Sequence, residues 1–319
     1  MVLGVFKVVR KIARRLSALS LMVLSACGLT KCAPDPADKA TIERLYAETN
    51  SPSDQALSIY FIGHSLVGRD MPAMLAQLAP DGHRYESQLG WGSEMQAHWE
   101  PDIELAGGEF ENAHDRFREA HEAVGSGDYD AIVLTEKVSL TDSIKYHESW
   151  RYLALWSEKA WQANPETRIY FYETWHETDI ADGWMNRVDN DLSELWEKEI
   201  TDRALTETGA QRPIYIIPAG QVMARFVRAA QDRGGVDGLS TVEDLFDDNI
   251  HPNELGTYLN AITHYAVVYG KSPVGLPYAL NRADGSPAAA PGADAARLMQ
   301  EVVWEVVTSY PRSGVQPDG

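Results

Sequence analysis

The chain has 319 residues, 44% of them apolar and 24% charged, and a formal charge of −19. Those proportions belong to an ordinary folded globular protein, long enough for one large domain or two small ones. The acidic balance argues against nucleic acid or an acidic lipid surface as the main partner, because both require a basic face.

The first 35 residues stand apart. Lys7, Arg10, Lys11, Arg14 and Arg15 form a basic region without an acid, and residues 16–26, LSALSLMVLSA, form an apolar run. A helix that crosses a bilayer needs about 20 apolar residues, so this run is too short to span one. A basic start followed by a short apolar core reads as a secretory signal over residues 1–26, to be kept out of the fold. The stretch LSAC at 24–27 resembles the lipobox of bacterial lipoproteins. That resemblance implies Cys27 as the lipidated first residue of the mature chain. It also implies a membrane anchor through acyl chains and a place in the bacterial cell envelope, facing the periplasm or the exterior. The other reading is plain signal cleavage, with Cys27 and Cys32 paired or both merely lying in a leader. These are the two cysteines of the chain, so the remainder carries no disulfide framework. Residues 27–55, polar and with Pro34, Pro36 and Pro52, read as a tether with one or two helical turns.

From residue 57 short apolar runs alternate with longer amphipathic segments. The runs are LSIYFI (57–62), RYESQ (84–88, the weakest), YDAIVL (129–134), TRIYFYE (167–173) and RPIYIIP (212–218). Helical patterns fill the gaps: 71–79, 111–124, 149–164 and 187–209. Strands rich in Ile, Val and Tyr alternating with helices predict an α/β domain over 56–270, a doubly wound parallel sheet covered on both faces. Residues 271–294, rich in Pro, Ala and Gly, read as an extended loop, and 295–310 as a helix that packs back on the domain.

The first run climbs to Gly63-His64-Ser65. Ser65 therefore stands at the carboxyl end of a strand, where open α/β sheets bind ligands. A serine is a weak nucleophile unless a base, itself held by a third group, takes its proton. Asp248-Asn249-Ile250-His251 supplies such a pair, the three-residue spacing letting carboxylate and imidazole come from one turn. Asp247 is the alternative acid. The two ends together resemble the SGNH (GDSL-type) hydrolases over about residues 57–270. The resemblance implies a three-layer α/β/α fold with a flavodoxin-like five-stranded parallel sheet. It implies serine esterase activity with Ser65 as nucleophile, His251 as general base and then acid, and Asp248 orienting His251. His64 stands where the family often has an aspartate.

The family's oxyanion hole combines the nucleophile's N–H, a glycine N–H after the second strand and an asparagine after the third. QLGWGSEMQAHW (88–99) offers Gly92, with Gly90 as the alternative. The third block, DYDAIVLTEKVSLTDS (128–143), has no asparagine. Ser139 or Glu136 falls at its place, depending on whether one counts from Asp130 or from the strand end. An ionised Glu136 would repel an oxyanion, whereas a protonated one is a donor. His64, Trp175 and His176 are rim residues able to touch substrate, with packing as the alternative for each. His98 and Trp99 are weaker versions of the same idea. His114 and His121 lie seven apart on the expected 111–124 helix, a loose metal-site pattern that reads better as a solvated acidic face.

The expectation is a hydrolase of acetyl or other short acyl esters on a small molecule, carbohydrate or cell-envelope polymer. It needs no cofactor, since no nucleotide or metal motif is present. An O-acyltransferase on the same scaffold and a catalytically silent envelope-binding lipoprotein are the alternatives.

Overall fold

The computed structural model describes residues 32–317. The basic segment, the apolar run and Cys27 lie outside the described residues. Residues 33–317 lie in one compact unit.

The chain opens with α1 (Lys39–Leu45), capped by the Asp38 carboxylate on the Thr41 N–H. It continues through β1 (Ser58–His64), α2 (Asp70–Leu78), β2 (Arg84–Gly90), the short α3 (Met95–Trp99) and α4 (Gly108–Glu111), and α5 (Ala120–Ser126). Then come β3 (Ala131–Thr135), α6 (Leu140–Tyr146), α7 (Ser149–Ala163), β4 (Arg168–Glu173) and α8 (Trp184–Asp191). A π-wound stretch, Leu192–Thr201, runs into α9 (Asp202–Glu207). β5 (Tyr215–Pro218), α10 (Ala219–Asp232), α11 (Glu254–Tyr269) and α12 (Ala293–Ser309) complete the chain.

The five strands are all parallel, in the order β2-β1-β3-β4-β5. This is the flavodoxin-like order the sequence resemblance implies. β1 and β3 are buried at every position, as strands covered on both faces must be. α2, α10, α11 and α12 pack on one another as one layer, and α3, α5, α7 and α9 as the other. Phe61, Tyr170, Phe171 and Tyr172 are fully buried between them. Each such side chain contributes on the order of 2 kcal/mol by leaving water. The order reverses at β1, so the crevice for a ligand lies outside the carboxyl ends of β1 and its neighbours.

Two expectations need correction. The tether ends earlier than residue 55, because residues 34–53 are tied to the domain. The Arg203 guanidinium donates to the Pro34 carbonyl, Ala37 N–H to Asp202 and Ser53 N–H to Tyr269. Tyr46 is buried, with its hydroxyl donating to the Ile214 carbonyl at 2.6 Å. The helix expected over 111–124 is broken, leaving α4 and α5 with an irregular stretch between. There the Ser87 N–H donates to the Arg116 carbonyl and the Arg118 N–H to Ser87, so this stretch adds to the edge of β2. The Asn112 amide also bonds both the N–H and the carbonyl of Leu89. Backbone pairing with an open strand edge outweighs a helical periodicity worth a few tenths of a kcal/mol per residue. Consequently His114 and His121 do not share a helix face. His121 Nε2 donates to the Trp99 carbonyl, and no group of three metal-ligating side chains forms among the described residues.

Candidate active site

β1 ends at His64, and the chain turns sharply: Val67 N–H and Gly68 N–H both donate to the His64 carbonyl. Ser65 is the first residue of that turn and is half-buried. Its Oγ lies 3.0 Å from His251 Nε2. His251 Nδ1 lies 2.7 Å from Asp248 Oδ2, across the three-residue spacing. The other oxygen of Asp248 accepts the N–H groups of Ile250 and His251 at 2.8 and 2.7 Å. These backbone donors, together with the imidazole, hold the Asp248 carboxyl at about 2, well below the ordinary carboxylate range. The carboxylate fixes the proton on Nδ1, which leaves Nε2 free to accept from Ser65. Asp247 faces this turn through its backbone, its N–H donating to the His251 carbonyl, and Asp248 is the acid that meets the imidazole.

The turn holding Asp248 and His251 is clamped from the segment after β4. Trp175 Nε1 donates to the Ile250 carbonyl at 2.9 Å, Thr178 N–H to the Asn249 carbonyl, and Asn249 Nδ2 to Asp179. Trp175, expected at the rim, is therefore buried, with its ring edge-on to Phe246. It positions the turn from beneath, because an indole must find an acceptor when buried and the Ile250 carbonyl is in reach. Trp175→Phe keeps an aromatic core residue but removes that donor. The expected result is a fall in kcat of about tenfold to a hundredfold, since small misplacements of a base are costly. Steady-state kinetics beside a thermal midpoint check this, and an unchanged kcat would show that the turn holds itself.

His64 is also not a rim residue. It is buried, its Nε2 donating to the Glu136 carbonyl at 2.9 Å and its Nδ1 accepting the Leu66 N–H. Burial pushes its imidazole down to about 4, so it stays neutral and braces the turn that carries Ser65. His98 is likewise structural: Nε2 donates to the Gly63 carbonyl, Nδ1 accepts from Gln88, and burial lowers it to about 3. Trp99 packs edge-on against Trp156. His176 is tied to Asp191 Oδ2 at 2.6 Å, with Arg187 on the same oxygen. It nevertheless borders a small cleft of about 200 Å³ with Ser139 and Arg187.

Gly90 ends β2 in register with His64, so the loop that follows emerges beside Ser65. A Cβ on Gly90 would meet Ser93 Oγ at 2.3 Å, which excludes a larger residue. Gly92 has φ +52°, a left-handed backbone that glycine adopts freely, and nothing lies within 4 Å of a built Cβ. Between them Trp91 stands 53% exposed, stacked on the 60% exposed Phe110 with rings nearly parallel and 5.7 Å apart. Its Nε1 donates to Glu111, which fixes the indole. This pair, at the loop after β2, is exposed where Trp175 is buried. The only signal for it is the position of Trp91 inside the glycine block.

Glu136 directly follows β3 and is fully buried. Its Oε1 accepts the Lys137 N–H, and its carboxyl faces the starts of α3 and α7 through Met95 and Ser149. It fills the junction of two helices, buried from solvent. Ser139 is exposed, at the start of α6. Burial raises Glu136 to about 7, only partly offset by the Lys137 N–H. A carboxyl raised on folding favours its neutral form. Its stabilisation is complete below about 4.5 and is lost as pH climbs through about 7. Glu136→Gln, neutral and of the same shape, should therefore lose less thermal stability than wild type between about pH 5 and about pH 8. Glu173 at the end of β4, raised by burial to about 8, titrates in the same window and leaves a residual slope. Equal shifts in the two proteins would remove Glu136 from this account.

No family model and no curated protein matches the chain. Among solved structures it is similar to a DUF4886 family protein from Bacteroides uniformis, at 16% identity over 81% of this chain and 96% of that one, with a TM-score of 0.49. It is also similar to a protein named as a GDSL-like lipase from Parabacteroides merdae, at 15% identity over 70% and 99%, with a TM-score of 0.42. A third is a carbohydrate esterase family 2 enzyme with its carbohydrate-binding domain from Corynascus thermopiles (Myceliophthora fergusii), at 12% identity over 53% and 59%, with a TM-score of 0.31. None of these reaches a TM-score of 0.5, so the chemistry of the site rests on its own distances.

Proposed function

We propose that the chain is a serine ester hydrolase that removes acetyl or similarly short acyl groups from carbohydrate. The observation that carries this reading is the continuous hydrogen-bonded line from Ser65 Oγ through His251 to Asp248. That line has the geometry of nucleophile, base and orienting acid. In the proposed reaction Ser65 Oγ attacks the acyl carbon while its proton passes to His251 Nε2. The tetrahedral intermediate collapses, the alcohol leaves with that proton, and an acyl-Ser65 ester remains. Water, activated in turn by His251, returns the free acid and the serine.

Two features support the substrate class. The cleft at Ser65 and His251, bordered by Gly68, Arg69 and Thr257, measures about 140 Å³, which suits a short acyl group and not a long chain. The exposed Trp91–Phe110 stack offers a flat apolar face to a sugar ring. A neighbouring cleft of about 600 Å³, sharing Gly68 and Arg69 and bordered by Tyr85 and Arg116, gives room for further units of a polymer. The experiment is acetate release from an acetylated xylan by the purified full chain and by Ser65→Ala. Release by the wild type alone supports the reading, and equal release by both ends it.

A further inference from the structure

The family resemblance implies a third oxyanion donor, an asparagine after β3, and none stands there. Among residues 135–139, Lys137 is the one with a side-chain N–H. Its place follows from the register. Ile62 pairs with Leu134, the last pair of the ladder, and two residues on His64 Nε2 still bonds the Glu136 carbonyl at 2.9 Å. The next residue on each chain is Ser65 on one side and Lys137 on the other.

The Lys137 ammonium also reaches the loop that carries Gly92. Its Nζ lies 3.4 Å from Glu94 Oε1, and Glu94 follows Gly92 by two residues in the loop after β2. β2 and β3 flank β1, so these two loops start roughly 9.6 Å apart, twice the strand spacing. A contact between their side chains therefore joins the two loops that flank the carboxyl end of β1. The Lys137 side chain is 33% exposed. Glu94 is itself braced, with His147 Nε2 at 3.3 Å from the same oxygen and His147 Nδ1 at 2.8 Å from Gln96 Oε1. An ammonium has three donors, and a single loose contact to Glu94 leaves two for an incoming oxygen.

We propose that Lys137 is a catalytic residue whose ammonium, beside the N–H groups of Ser65 and Gly92, donates to the oxyanion in place of the missing amide. When Ser65 Oγ bonds to the acyl carbon, the carbonyl π pair moves onto oxygen. The Lys137 N–H accepts none of that charge covalently and keeps its proton. When the carbonyl re-forms and the alcohol departs with the proton from His251, the hydrogen bond weakens again. A fixed positive charge at the point where negative charge develops is what such a site requires. The proposal rests on the reading of Ser65 as nucleophile.

The test is steady-state kinetics of the purified full chain on p-nitrophenyl acetate for wild type, Ser65→Ala, Lys137→Met, Lys137→Gln and Glu94→Gln, with thermal midpoints for each. Lys137→Met, similar in length but without a donor, should lower kcat by about 10²–10³ with KM nearly unchanged. Lys137→Gln, which restores a side-chain N–H, should recover at least about tenfold of that loss. Glu94→Gln, which breaks the ion pair alone, should fall by less than about tenfold. If Lys137→Met stays within about threefold of wild type while Ser65→Ala is inactive, Lys137 is no oxyanion donor and the nucleophile stands. If Glu94→Gln falls as far as Lys137→Met, the lysine matters only as half of an ion pair. If Ser65→Ala keeps full activity, the failure is of the hydrolase reading itself.

Discussion

Ser65→Ala lowers kcat toward p-nitrophenyl acetate by about 10⁴–10⁶, the loss seen when a nucleophile of a hydrogen-bonded triad is removed. The expectation follows from geometry that already exists without substrate. Ser65 Oγ is 3.0 Å from a base whose proton is fixed on the other nitrogen by Asp248. The fold should not change, because Ser65 is half-buried in a turn held by the His64 carbonyl and the neutral His64 ring. An unchanged thermal midpoint beside the lost rate separates chemistry from folding. A Ser65→Ala protein that retains a tenth of the wild-type kcat would mean that the esterase activity arises elsewhere.

Asp248→Asn is the second large effect. The asparagine oxygen can still accept the Ile250 and His251 N–H groups, so the turn should keep its shape. Its amide N–H₂, however, then faces His251 Nδ1 and drives the ring proton to Nε2, the wrong nitrogen for accepting from Ser65. That tautomer switch costs about 10⁴ in a buried triad. Here the Asp248 and His251 side chains are 52% and 45% exposed, so water can compete for Nδ1 and screen the charge. The expected loss in kcat is therefore smaller, about 10²–10³. A pH–rate profile for the variant, with kcat rising no higher at any pH, checks it. A loss of less than about fivefold would show that Asp248 only shapes the turn. The carboxylate itself is not the switch at acid pH, because its pKa of about 2 keeps it ionised far below neutrality. The stability it contributes is present above its ordinary value near 3.8 and is lost as pH falls through about 2.

Much of this was legible from residue types alone. The β1, β3 and β4 runs are dense in Ile, Val, Tyr and Phe because those strands are buried on both faces. β2 reads weakly for a physical reason: it is an edge strand whose first half is open to solvent, and only Gln88 to Gly90 carry the buried signal with Ser87. The D-x-x-H spacing places its two side chains without help from the rest of the chain, which is why Asp248 and His251 could be read directly. Ser65 needed only the end of a strand.

What was not legible depends on neighbours far away in sequence. Residues 111–124 have a helical periodicity, yet the open edge of β2 claims the backbone of 116–118. Residues 33–55 have the composition of a linker, and their docking depends on acceptors at Asp202, Ile214 and Tyr269. Trp175 and Trp91 both follow strands. Which one is buried and which exposed was decided by an acceptor at Ile250 for the first and by a stacking partner at Phe110 for the second. Lys137 was passed over because counting along β3 from either end lands on Glu136 or Ser139. Its place opposite Ser65 becomes visible only once β3 is seen to pair with β1 in this register.

The most direct test is covalent labelling of the purified full chain with a fluorophosphonate, read by mass spectrometry of the peptide that contains residue 65. Only a serine whose proton can pass to a base reacts readily with such a reagent. Wild type should gain one phosphonyl group on Ser65, and His251→Ala should label slower by at least about 10³. A wild-type chain left unlabelled, or one labelled equally fast without His251, would contradict an activated Ser65.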